Sequence, residues 1–172
     1  STRYATLFPY TTLFRSANVI FADADLAKAA ASAPYGVFDN AGQDCCARSR
    51  ILVQRSVLDE FLALLEPAVL GVRVEDPSLD TSEMGPLISR GHHASVSAYI
   101  TDSTNVVIRG TVPDGPGFWF PPTVVVPDSH DDPLMQEETF GPIVAVLPSD
   151  DEADAIRLAN DSPYGLSGSI FT

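Results

Sequence analysis

Two adjacent thiols, Cys45 and Cys46, stand in the stretch Asn40-Ala41-Gly42-Gln43-Asp44-Cys45-Cys46-Ala47-Arg48-Ser49-Arg50, immediately ahead of the apolar run Ile51-Leu52-Val53. A cysteine serves as a nucleophile when its thiolate is stabilised, either by a helix N-terminus or by exposed backbone amides. Gly42 allows a tight turn before Cys45, and the residues after the pair can begin a helix that would supply such stabilisation. The alternative is a small buried hydrophobe, the more frequent fate of a cysteine behind a glycine. If one thiol reacts, the other is expected to pack inward, and Cys46 is the competitor. Neighbouring Cα atoms lie about 3.8 Å apart, below the usual disulfide span of about 4.4 to 6.8 Å, so the pair is no structural staple and fits a reducing compartment.

A second concentration of chemistry is Gln136-Glu137-Glu138-Thr139-Phe140-Gly141-Pro142, where a carboxylate and an aromatic face can meet a ligand at a turn. Its bland counterpart is a solvated acidic turn ahead of a strand. His92, His93 and His130 lack a spacing such as H-E-x-x-H, and there is no Cys-x-x-Cys pair, so the sequence predicts no metal site. Neither GxGxxG nor a P-loop occurs, so no complete nucleotide-phosphate cradle is expected within this chain. Phe118, Trp119 and Phe120 are most simply core or loop packing.

These groups need a scaffold, and 172 residues with 45% hydrophobic content suffice for one globular core. The 23 acidic against 10 basic residues give a formal charge of -13, which argues against general affinity for nucleic acid or anionic lipid. No apolar run approaches the roughly 18 to 20 residues of a membrane span, and no secretory signal pattern opens the chain, so a cytoplasmic location is predicted.

The periodicity predicts a strand over 19–21, then a helix over 26–33 with Asp23 and Asp25 at its acidic start and Pro34 and Gly36 as punctuation. A strand over 51–54 precedes a helix carrying Phe61, Leu62, Leu65 and Leu70. For that helix Ser56 with Asp59 resembles a capping box, Pro67 is expected to kink or shorten it, and Gly71 is a terminator. Residues 75–91 are expected to form a surface connection. A helix over 89–100, a strand over 106–108, a loop at 113–117 and a strand over 123–126 follow. An acidic loop at 128–132, a strand over 143–147, a helix over 151–159 and a turn at Pro163-Tyr164-Gly165 close the pattern. Short strands alternating with helices argue for an α/β architecture with a largely parallel sheet.

Residues 1–16 do not share this order: Thr6 through Ser16 matches neither period and matches one frame of a common sequencing adapter. We expect a non-native segment at 1–16, with a natural strand-rich N-terminus as the alternative, and a partial domain at 17–172. The last residues stop within a strand pattern, so the chain is expected to be the middle of a longer protein.

Asn40-Ala41-Gly42-Gln43-Asp44-Cys45 resembles the catalytic-cysteine signature of the NAD(P)-dependent aldehyde dehydrogenase superfamily, in which the Cys two residues after Gly-Gln is the nucleophile. Four further stretches resemble that family in the same order. They are Phe21-Ala22-Asp23-Ala24-Asp25-Leu26, Met84-Gly85-Pro86-Leu87, residues 136–142, and Ala159-Asn160-Asp161 through Tyr164-Gly165-Leu166 to Phe171-Thr172. The resemblance implies an aldehyde dehydrogenase-like catalytic domain, incomplete at both ends, with Cys45 as nucleophile. It implies Glu138 on the nicotinamide ribose and Phe140 against the nicotinamide. It further implies NAD or NADP held mainly by a domain outside this chain, with the general-base Glu and an oxyanion Asn also upstream, and a homo-oligomeric parent.

By that resemblance, Cys45 attacks a small-molecule aldehyde to give a thiohemiacetal, hydride leaves to the nicotinamide, and water hydrolyses the thioester. The spelling is most similar to aminoaldehyde and betaine aldehyde members. Asp44 either attracts a cationic substrate or merely caps a turn. The rival readings are a cysteine-dependent hydrolase or acyltransferase, which needs a His base beside Cys45, and a noncatalytic acidic fragment.

Overall fold

The apolar runs assemble into one six-stranded sheet in the order β3-β4-β5-β2-β1-β6. Its strands are β1 (Ala17–Ile20), β2 (Arg50–Gln54), β3 (Val106–Arg109), β4 (Thr123–Val125), β5 (Ile143–Ser149) and β6 (Gly168–Phe171). The computed structural model describes residues 17–162 and 166–172; segment 1–16 and the turn at Pro163-Tyr164-Gly165 lie outside the described residues.

Every pairing is parallel except that of β3 with β4 at one edge. In the centre, β2 and β5 pair with Arg50 opposite Ala145 and Leu52 opposite Leu147. Ile51, Leu52, Val53, Val144 and Val146 are all sealed from solvent. Burial on both faces is why these strands read as unbroken apolar runs rather than as alternation. Helices α1 (Leu26–Val37), α2 (Leu58–Leu70), α3 (Arg90–Ser97), α4 (Pro133–Gln136) and α5 (Glu152–Asn160) flank the sheet. Helix α1 packs on α2, while α5 packs on β1, β2 and β5.

Local chemistry explains most boundaries. The Asp25 carboxylate accepts the Lys28 N–H at 3.0 Å and caps α1. Ser89 does the same for α3 through the His92 N–H at 3.1 Å. Gly71 closes α2 with its N–H on the Pro67 carbonyl at 3.0 Å.

Elsewhere tertiary contacts override the local signal. Pro34 and Gly36 do not end α1, which runs on to Val37. A proline inside a helix costs about 3 kcal/mol, but Leu26, Ala29, Ala30, Ala33, Pro34 and Val37 form one buried face that offsets it. Helix α2 holds Pro67 and runs to Leu70, as expected of a helix that carries Leu70 and stops at Gly71. The Ser56–Asp59 capping box does not form: a 3-10 turn over Arg55–Val57 carries the chain in, and Val57 occupies the cap without a side-chain hydrogen bond.

The connection at 75–91 is not confined to the surface. Met84 and Leu87 are buried, and Met84 bridges Val74. Helix α4 has no counterpart among the elements predicted from sequence, although Asp132-Pro133 is a cap-and-N1 signal, and Asp132 indeed accepts the Leu134 N–H at 2.8 Å.

Arg50, at the start of β2, is 1% exposed. Its guanidinium donates to the Leu158 and Ala159 carbonyls at 3.5 and 3.3 Å, at the end of α5, where the helix dipole favours a cation. Burial lowers its pKa, and Asp161 opposes that effect.

Candidate active site

The cysteine stretch enters through a left-handed turn. Asn40, Ala41 and Gly42 have φ of 50°, 57° and 68°, a region that side chains avoid. Reciprocal hydrogen bonds hold it, from Asn40 Nδ2 to the Gln43 carbonyl at 2.9 Å and from Gln43 Nε2 to the Asn40 carbonyl at 3.1 Å. Gln43 Oε1 accepts the Ile88 N–H at 2.9 Å, which ties the turn to the segment after Met84-Gly85-Pro86-Leu87. Downstream, the Arg48 N–H donates to the Gly36 carbonyl at 2.8 Å, in the last turn of α1. The Asn and Gln of the signature are thus structural staples, a role that spacing alone did not reveal.

Gly42 is seated directly on Gly141: a Cβ at Gly42 would run into the Gly141 carbonyl. Phe140 has a φ of 49°, and its carbonyl accepts from His92 Nε2 at 2.7 Å, which fixes the proton on that nitrogen. The His92 ring meets the Phe140 ring edge-on with centroids 6.2 Å apart. The structure therefore unites the cysteine turn, Ile88 and the Phe140-Gly141-Pro142 turn, all far apart in sequence. The cysteine turn precedes β2 and the Phe140 turn precedes β5, so this junction lies at the amino ends of two central parallel strands. Ligands of open α/β sheets ordinarily sit at the carboxyl ends.

At the thiols, the structure corrects two expectations. No helix follows the cysteines; the Ala47 N–H closes a turn on the Asp44 carbonyl at 3.1 Å, and the chain then runs extended into β2. Cys46 does not pack inward either: it is exposed, while Cys45 is half-buried. Their sulfurs are 3.9 Å apart. Asp44 is exposed and its carboxylate accepts the Cys46 N–H at 3.0 Å, a turn-capping role. The Cys45 pKa is raised, first by its hydrogen bond with Cys46, then by desolvation and by Asp44. Nothing in this turn by itself favours the thiolate.

In the second cluster, Glu137 is exposed and accepts from the Tyr99 hydroxyl at 3.0 Å, while Glu138 is half-buried. Phe140 is 39% exposed. Phe120 is buried, with Phe118 and Trp119 packed against the same core, as their sequence suggests. His93 Nε2 donates to the Trp119 carbonyl at 3.0 Å, and His130 Nε2 donates to the Asp161 carbonyl at 2.9 Å. Among the described residues no helix is long and apolar enough to cross a membrane.

Fold and junction together define an open, largely parallel α/β domain whose cysteine turn is backed by a Phe-Gly-Pro turn at the amino ends of its strands. The description of the aldehyde dehydrogenase family matches residues 15–172, and the chain belongs to that family. Over 162 residues it is 37% identical to an aldehyde dehydrogenase of Aspergillus niger, covering 92% of this chain and 33% of that protein. Over 166 residues it is 36% identical to the betaine aldehyde dehydrogenase of Bacillus subtilis, covering 92% and 34%.

A crystal structure of betaine aldehyde dehydrogenase from Staphylococcus aureus in complex with NAD+ is similar with a TM-score of 0.85 at 38% identity, covering 91% of this chain and 33% of that one. The chain thus spans about a third of the length of the curated relatives it matches.

Proposed function

We propose that this chain is the nucleophile-bearing portion of an NAD(P)-dependent aldehyde dehydrogenase, with Cys45 as nucleophile and with Glu138 and Phe140 at the nicotinamide end of the cofactor. The observation that carries this reading is the seating of Gly42 on Gly141, which brings the cysteine turn against the Phe140 turn. The residues present suit that end of the cofactor: Phe140 offers a partly exposed aromatic ring, and the Glu138 carboxylate is matched to a ribose diol. When bound, NAD(P) supplies the hydride acceptor.

The chain's own part is to bind and to activate carbon. Cys45 Sγ attacks the aldehyde carbon, a C–S bond forms, and the carbonyl oxygen becomes an oxyanion that the Cys45 N–H helps to hold. Because the Cys45 pKa is raised, its proton must pass to a base. The family resemblance assigns that base, the oxyanion Asn and most of the cofactor site to sequence upstream. On this reading the 172-residue chain does not complete the oxidation alone, and the segment preceding the family match at residue 15 is foreign to it.

The substrate class is an aminoaldehyde or a betaine-type aldehyde, supported by the Asn-Ala-Gly-Gln-Asp-Cys spelling and by the betaine aldehyde dehydrogenases among its relatives. Of the two readings of Asp44, the hydrogen bond it accepts from the Cys46 N–H supports the turn-capping one. Free thiols support a reducing, cytoplasmic setting, and the parent is expected to be a homo-oligomer. The hydrolase alternative lacks support, since the hydrogen bonds of His92, His93 and His130 run to Phe140, to Trp119 and Ser97, and to Asp161 rather than to Cys45.

A chimera tests this reading: residues 17–172 replace the matching third of the Staphylococcus aureus enzyme, and NADH production is followed with a panel of aldehydes. Activity is expected in the chimera and not in the 172-residue chain. Cys45→Ser should lower kcat by about a thousandfold or more, and Cys46→Ser should not. Robust turnover by the Cys45→Ser chimera would sink the assignment.

A further inference from the structure

The cysteine turn also has the form of a chelate, which no spacing rule for separated ligands detects. Asp44, Cys45 and Cys46 each offer one ligand atom, and the three atoms lie within 4.8 Å of one another. We propose that Cys45 Sγ, Cys46 Sγ and the Asp44 carboxylate bind one thiophilic divalent cation of the zinc and cadmium class, with the fourth position open to water.

The bite distance carries this. A tetrahedral zinc with bonds of about 2.3 Å to sulfur holds its two sulfurs about 3.8 Å apart. Here they stand at 3.9 Å before any ion is bound, so chelation requires little movement of either thiol. Cys46 is exposed, which gives an ion its path in, and Asp44 is exposed beside it. The hydrogen bond from the Cys46 N–H to Asp44 Oδ1 fixes the carboxylate over the pair.

Both sulfurs give up their protons on binding, so the affinity rises with pH. Two thiolates and one carboxylate select a soft or borderline ion over Mg2+ or Ca2+, which take oxygen ligands. Binding would also occupy the lone pair that Cys45 needs for attack, so the ion is an inhibitor of any chemistry at that sulfur.

The experiment uses the reduced 172-residue chain and Cd2+, with thiolate-to-cadmium charge-transfer absorption as the readout. Saturation at one ion per chain is expected, undisturbed by excess Mg2+. Loss of an outer-shell partner alone weakens metal sites about 10- to 100-fold, so Cys45→Ser and Cys46→Ser should each bind about a hundredfold more weakly or worse, and Asp44→Asn about tenfold. Circular dichroism checks that each variant folds. Protection of both thiols of the unaltered chain from iodoacetamide by saturating Zn2+ needs no variant at all.

The site is overturned by absence of the band, by full affinity in Cys46→Ser or Asp44→Asn, or by one ion per two chains with a cadmium-linked dimer in sedimentation. No turnover is measured, so failure of this site and failure of the dehydrogenase reading are told apart.

Discussion

Cys45 is held among groups that oppose its ionisation, and the order of those groups makes a prediction. Its hydrogen bond with Cys46 is the leading cause of the raised pKa, ahead of desolvation and Asp44. Because the folded value lies above the unfolded one, the fold favours the protonated thiol. The associated stability is fully present below the ordinary thiol pKa and is lost as pH rises through the folded value. The pH midpoint of Cys45 alkylation by iodoacetamide is therefore expected to be higher than that of a free thiol. It should fall in Cys46→Ala, and fall by less in Asp44→Asn. A midpoint that does not move in Cys46→Ala would assign the rise to burial instead.

The sequence singled out Cys45 through its neighbours but misjudged Cys46. Which of two adjacent side chains faces solvent depends on the strand that follows, and here β2 begins only at Arg50, leaving both thiols in a turn.

At the scale of elements, the site depends on two turns touching through their backbones. Gly42 combines a φ of 68° with van der Waals contact against the Gly141 carbonyl, so Gly42→Ala meets both backbone strain and overpacking. Each effect is worth about 1 to 3 kcal/mol, and together we expect a loss of about 2 to 4 kcal/mol by urea denaturation. Loss of the cysteine turn should accompany it, seen as a changed alkylation rate at Cys45. A stability within about 0.5 kcal/mol of the parent chain would show that the contact does not matter.

Much at this scale was legible beforehand: the cap at Asp25, the stop at Gly71 and the strands around Ile51 and Ile143 all rest on chemistry within a few residues. Pro34 and the Ser56–Asp59 pair were misread for one reason. Their local preference of at most a few kcal/mol competes with a buried helix face, and the buried face decides.

Across the whole molecule, a net charge of -13 repels itself within one folded chain. Raising ionic strength from about 0.01 M to about 0.15 M shortens the Debye length from about 30 to about 8 Å. The melting temperature should therefore rise by a few degrees in differential scanning calorimetry, and a fall would indicate that ion pairs such as Arg55–Asp150 outweigh the repulsion.

The α/β alternation and the family to which the five ordered stretches belong could be read from the sequence alone, while Cys45 as the nucleophile stays a proposal. These are properties of residue type, period and spelling, carried by backbone preferences that act over a few positions. Only the tertiary structure decided that Gly42 rests on Gly141, that Gln43 reaches Ile88, that His92 holds Phe140, and that both thiols and Asp44 converge in an open turn. The register of β2 against β5 aligns the two turns that precede them at one end of the sheet, where Gly42 meets Gly141, and no stretch of residues encodes that alignment locally.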